Sequence, residues 1–207
     1  MIVQIASFLN LTGPDLIVVA IILAVLIGIP ALIALCIFIV NRRSKKPEEG
    51  VASKSYEGIG GWLILVAFIL LRAPVAITLT LYRAVFPLLQ HDTWIALTAK
   101  DSEAYHPLWA LLIISELIVN TSFLVFAILV LVLFFRRKRS FPKFVITFYL
   151  AQLVWEVSLA LTLRLIPATA GEPATSSFVG AIGLALGCAI WIPYFLFSKR
   201  VRVTFVK

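Results

Sequence analysis

The sequence predicts an all-α polytopic integral membrane bundle, and three observations carry that expectation. Apolar residues make up 62% of the 207-residue chain and charged residues only 14%, against roughly 45–50% and about 25% in a soluble domain, whose surface must face water. Mean hydropathy is +1.07. Five apolar runs each reach the roughly 20 residues that a helix, rising about 1.5 Å per residue, needs to cross about 30 Å of hydrocarbon. Backbone amides in lipid find no water to bond, so such runs must satisfy them internally as helices. With over half the chain in these runs, no stretch remains in which a separate water-soluble catalytic domain buries its own core.

Taken in order, the first span is Leu16 to Val40. It is too long for the apolar core of a signal peptide and has no basic residue before it, so it is expected to stay as a membrane helix. The linker that follows, Arg42 to Glu57, holds Pro47, Gly50 and three serines. That composition makes a flexible connection, dividing the chain into residues 1–50, an extra helix with its linker, and residues 51–207, a four-helix core. The second span runs from about Gly61 to Tyr82, entered by a Gly58-Gly60-Gly61 turn with Trp62 at the interface; Pro74 leaves the carbonyl of Leu70 without its helical donor, which predicts a kink. The third is Leu108 to Phe135, the fourth Phe144 to Ile166 and the fifth Phe178 to Phe197. In the fifth, Gly183 and Gly187 form a small-xxx-small pair with Gly180 close by. Such a stripe lets another backbone approach closely, within the chain or in a dimer.

Threading follows from Lys and Arg in the short connections. Five lie between Asn41 and Glu57, five between Arg136 and Lys143, and four in the tail (Lys199, Arg200, Arg202, Lys207), fourteen in all, against two (Arg83 and Lys100) in the segments on the other side. The bias puts the amino terminus outside and the carboxyl terminus in the cytoplasm, as five spans require. The loop from Arg83 to His106, with Trp94 and Tyr105 and then Trp109, is expected to lie along the headgroup layer. The net charge of +8 sits beside apolar runs and not along one aromatic-interleaved face, which argues against nucleic-acid binding. Cys36 and Cys188 each lie in an apolar run without metal-ligand spacing, so neither a disulfide nor a metal is expected, and no cofactor motif is present.

The residues least at home in hydrocarbon are Arg72, Glu116 and Glu156. An unpaired ionised side chain at mid-span costs at least about 2.5–3.5 kcal/mol, so all three are expected to face protein or water, with Arg72 neutralising one carboxylate. Asn120 is four residues after Glu116 and Gln152 four before Glu156, placing each amide on the face of its acid. Such an intramembrane polar cluster suits a structural lock, a proton or solute path, or a docking site for a partner. Arg164, a turn before Pro167, is expected to reach the outer headgroups.

Several motifs point to one family. Gly58-Ile59-Gly60-Gly61-Trp62-Leu63 opens a span, Tyr105-His106-Pro107-Leu108-Trp109 precedes Glu116 and Asn120, and Phe134-Phe135 meets a basic run followed by Phe141-Pro142. Trp191-Ile192-Pro193-Tyr194-Phe195 and Ser198-Lys199-Arg200-Val201-Arg202-Val203-Thr204-Phe205-Val206 close the chain. From Tyr56 to Lys207 the sequence resembles the bacterial membrane proteins known as domain-of-unknown-function family 2569. The resemblance implies a four-helix core in the bacterial cytoplasmic membrane with both ends of that core inside. It implies no reaction.

Other signals are weak. The glycine cluster has neither the strand nor the lysine of a phosphate loop. His91 and His106 have no second ligand at useful spacing. Ser115, Ser122 and Ser158 lie in spans without a histidine or lysine base at comparable depth, so intramembrane hydrolysis has no visible nucleophile and base. The expected role is therefore non-enzymatic, a component of the bacterial inner membrane, in contact with the lipid bilayer, that acts by associating with another membrane or envelope protein or with itself. The alternative is a proton-coupled transporter or channel using Arg72, Glu116 and Glu156.

Overall fold

The computed structural model describes residues 61–166 and 172–206; the first span, Leu16 to Val40, and the linker after it lie outside them. Every regular element among the described residues is helical. Helix α1 (Trp62–Thr80) continues through a π-helical turn (Leu81–Val85) into the short α2 (Phe86–Leu88). Then come α3 (His91–Thr98), α4 (Leu108–Phe135), α5 (Phe141–Leu165), α6 (Glu172–Phe197) and α7 (Lys199–Thr204). Four helical stretches are long and apolar enough to cross a membrane: Trp62–Leu88, Leu108–Phe135, Phe141–Leu165 and Ser177–Phe197.

The boundaries depart from expectation where a charge or a proline looked like punctuation. The helix opened by α1 runs past Arg83 to Leu88, because one arginine at a span end does not break the backbone ladder. Helix α5 begins at Phe141, three residues earlier than expected, since Pro142 in a first turn has no helical hydrogen bond to lose. Pro74 does not interrupt the assignment of α1; the carbonyl of Pro74 itself accepts the Thr78 hydroxyl at 2.8 Å.

Helix α5 packs along α6, α1 packs along α4, and α4 joins the two pairs through α5. The buried positions recur every seven residues: Leu63, Leu70 and Ile77 on α1; Leu112, Val119, Phe126 and Leu133 on α4; Phe141, Phe148, Trp155 and Thr162 on α5; Ala181, Cys188 and Phe195 on α6. A seven-residue repeat keeps one seam turned toward its neighbour when helices cross at about 20°, the geometry of left-handed bundles. Phe68, Val75 and Tyr82, also seven apart, point away from that seam and are exposed.

Each end of the bundle is closed differently. At the end where α4 begins, Trp94 and Leu97 of α3 pack on Leu108, Trp109, Leu112 and Leu163. Trp109 is therefore buried, and only 7% exposed, instead of serving as an interfacial anchor. At the opposite end, α7 folds back so that Phe205 stacks on Phe141, ring centroids 4.4 Å apart and planes 26° from parallel. Phe134 and Phe195 pack edge-on against Phe141 at 5.2 and 5.7 Å. Such aromatic pairs contribute about 0.5–1.5 kcal/mol each beyond burial. The basic tail is thus a docked helix, capped by Ser198, whose side chain accepts from the Val201 amide.

Gly61 opens α1 with φ +57° and ψ −132°, and a Cβ there would collide with the Arg200 guanidinium. The guanidinium, at the end of a flexible side chain, can move aside, but the positive φ favours glycine, so Gly61→Ala is expected to lower stability by about 1–3 kcal/mol. Gly183→Ala, where no atom lies within 4 Å of the added carbon, is expected to leave stability equal or raise it by up to about 1 kcal/mol through helix propensity. Thermal unfolding of both variants in detergent checks the contrast.

Candidate functional site

Polar groups within the bundle fall at two levels, counted from the end that carries the Arg136–Arg139 turn. Glu116 is nineteen residues from Phe135, Glu156 fifteen from Phe141 and Gly180 seventeen from Phe197, which places them about 28, 22 and 25 Å along their helices. Arg72 is ten residues from Trp62, Tyr149 eight from Phe141 and Cys188 nine from Phe197, or about 15, 12 and 14 Å along.

At the first level the two glutamates are electrostatic neighbours, and both are half-buried. Oε2 of Glu156 lies 3.9 Å from where a Cβ of Gly180 would sit, an ordinary contact distance that places the carboxyl beside α6. Asn120, on the face of Glu116, donates its amide to the Glu116 backbone carbonyl at 2.9 Å and not to the acid. Gln152 is half-buried one turn before Glu156.

At the second level Tyr149 has Cys188 and Arg72 as its titratable neighbours, and the Cys188 thiol donates to the Tyr149 carbonyl at 3.8 Å. Arg72 itself is exposed. The pairing expected between Arg72 and a carboxylate does not occur: among the described residues no hydrogen bond or ion pair joins Arg72 to Glu116 or Glu156. The offset of about 7–13 Å along the helices accounts for that. Like charges on neighbouring carboxyls repel when both are ionised.

Tyr149 was missed by sequence reasoning, which looked for charges. Its signal was spacing: Tyr149, Gln152 and Glu156 follow i, i+3, i+7 and form one polar stripe on α5. The glycines of α6 separate as well. Gly180 lies beside Glu156, whereas among the described residues nothing lies within 4 Å of the Cβ positions of Gly183 and Gly187. They lie off the Ala181–Cys188–Phe195 seam, flanked by the exposed Val179, Ile182, Leu186 and Ile190.

The remaining candidates have local roles. Ser115, Ser122 and Ser158 donate their hydroxyls to carbonyls one turn back in their own helices. Nδ1 of His106 accepts the Leu108 amide at 3.3 Å, capping α4. Arg164 lies 4.3 Å over the ring of Phe178, a cation–π contact between the end of α5 and the start of α6. No group of three or more His, Cys, Asp or Glu suited to a metal occurs among the described residues.

An apolar helical bundle with four membrane-spanning helices and polar residues placed in its seams defines a multi-pass membrane protein. The chain belongs to the family described as "Protein of unknown function (DUF2569)", whose model matches residues 56–206. No curated protein and no solved structure matches it.

The two levels make a coupling prediction. Glu116→Gln and Glu156→Gln are expected to be non-additive in unfolding free energy, by at least about 0.5 kcal/mol, because the groups act on each other. Arg72→Gln and Glu156→Gln are expected to add within about 0.5 kcal/mol. Double-mutant cycles measured by denaturation in detergent decide both.

Proposed function

We propose that this protein is a non-enzymatic component of the bacterial cytoplasmic membrane that acts by binding a membrane or envelope partner, or a second copy of itself, through the outer face of α6. One observation carries the reading. Gly183 and Gly187 form a small-residue stripe with no atom of the described residues within 4 Å of their Cβ positions, on a face otherwise built of exposed Val179, Ile182, Leu186 and Ile190. Helix association in lipid depends on close backbone approach, because apolar side chains gain little by leaving acyl chains. Glycine in a helix costs about 1 kcal/mol relative to alanine, so an unused stripe lowers stability without compensation, whereas a partner helix seated there recovers it through packing. The charge bias, fourteen basic residues against two, supports a five-span threading with the amino terminus outside and the carboxyl terminus in the cytoplasm.

A second reading is a proton-coupled transporter or channel. The electrostatic proximity of Glu116 and Glu156 favours it, as ionisable residues within the spans are what such a path requires.

Under the association reading, Gly183→Leu combined with Gly187→Leu is expected to insert and fold as the wild type does, because both side chains enter open space, yet to lose a stoichiometric companion or the homo-oligomer on mild-detergent extraction from native membranes. Recovery of the same complex from the variant contradicts it. In sealed vesicles, loss of a pH-dependent flux on Glu156→Gln, with the protein still folded and inserted, supports the transport reading instead.

A further inference from the structure

We propose that the basic end of the bundle carries a site for the phosphate of an anionic membrane lipid, formed by the α4–α5 turn and α7, with Arg137 as its central contact. Two basic segments distant in sequence converge there. The turn supplies Arg136 and Arg137, both exposed, and α7 supplies the exposed Lys199 and Arg202. The stack of Phe205 on Phe141, with Phe134 beside it, fixes the two segments to one platform. Arg202 is held by its Nη2, which donates to the Leu196 carbonyl at 3.2 Å. Among the described residues the carboxylates with a placed side chain lie elsewhere: Asp92, Asp101 and Glu103 between α2 and α4, and Glu116 and Glu156 deep in the spans.

The backbone singles out Arg137. Helix α4 ends in a paired reverse turn in which the Lys138 amide bonds the Leu133 carbonyl and the Arg137 amide bonds the Phe134 carbonyl, each at 3.0 Å. That motif needs a left-handed residue, ordinarily glycine, and here Arg137 adopts it at φ +51°. A topology signal is served by a basic residue anywhere in the turn, so it does not explain an arginine at the position where glycine is least strained. A ligand contact does, because the guanidinium fork matches phosphate in two parallel hydrogen bonds.

The surroundings select a lipid over a soluble anion. A shallow concavity of about 460 Å³ is lined by Phe135 together with Arg136, Arg137 and Lys138. Phe135 is 52% exposed, and Phe197, at the end of α6, is 74% exposed. Cations adjoining an exposed aromatic ring reproduce the boundary between phosphate and acyl chain, whereas a soluble phosphate has no use for the apolar half.

The test uses the full-length protein in a neutral detergent, with the unfolding midpoint read during titration with phosphatidylglycerol, phosphatidylcholine or glycerol phosphate, since a ligand of the folded state raises that midpoint. Phosphatidylglycerol is expected to raise it, and the other two to leave it in place. Arg137→Gly suits the backbone and is expected to unfold at or above the wild-type midpoint without lipid, yet to bind phosphatidylglycerol about fivefold more weakly; adding Arg136→Gln extends the loss to about twentyfold or more. Equal phosphatidylglycerol affinity in wild type and Arg137→Gly overturns the site. An equal shift with phosphatidylcholine overturns the headgroup selectivity, and a full shift with glycerol phosphate alone overturns the lipid assignment.

Discussion

Apolar side chains gain almost nothing by leaving lipid for each other, so helices in hydrocarbon are held together by close packing and by polar groups that need partners. The α5–α6 interface shows both. Phe141 of α5 meets Phe195 of α6 edge-on at 5.7 Å, and Ala181 and Cys188 are buried at seven-residue spacing from Phe195. Gly180 lies beside Glu156, and the Cys188 thiol on the same helix donates to the Tyr149 carbonyl.

The chemistry of the protein is layered by the same packing. Carboxyls occupy one level and Arg72 with Tyr149 another, while the basic turn and α7 close one end and α3 covers the other. Since Arg72 stands apart from the carboxyls, the bundle does not depend on a three-residue charge cluster. Its cohesion rests on the seven-residue seams and on the aromatic group around Phe141.

Spans were legible in the sequence because their signal, apolar length, comes from the bilayer and not from the fold; Leu108–Phe135 matches to the residue. The packing faces were not legible. In a soluble helix the inward face announces itself by being apolar, but here Phe68 and Val75, turned outward, are as apolar as Leu70 and Ile77, turned inward. Depth was readable only roughly, which is why Arg72 was expected beside the glutamates; counting from helix ends that are themselves misjudged by a few residues blurs a difference of two turns. The docking of α7 was hidden for another reason. Lys199 and Arg202 dominate a tail whose buried residues, Val201, Thr204 and Phe205, carry no charge and little length. The polar stripe on α5 was available through the spacing of Tyr149, Gln152 and Glu156, once an uncharged hydroxyl is counted among groups that cost energy in lipid.

The central claim is that the outer face of α6 seats another helix. Photo-crosslinking in native membranes tests it most directly, with the crosslinker placed at Ile190, seven residues from Gly183 on that face, and in parallel at Leu150, exposed on α5. The account predicts a discrete protein adduct, homodimer or single partner, from Ile190 and only lipid adducts from Leu150. Lipid adducts alone from both positions, or the same protein adduct from both, would contradict it.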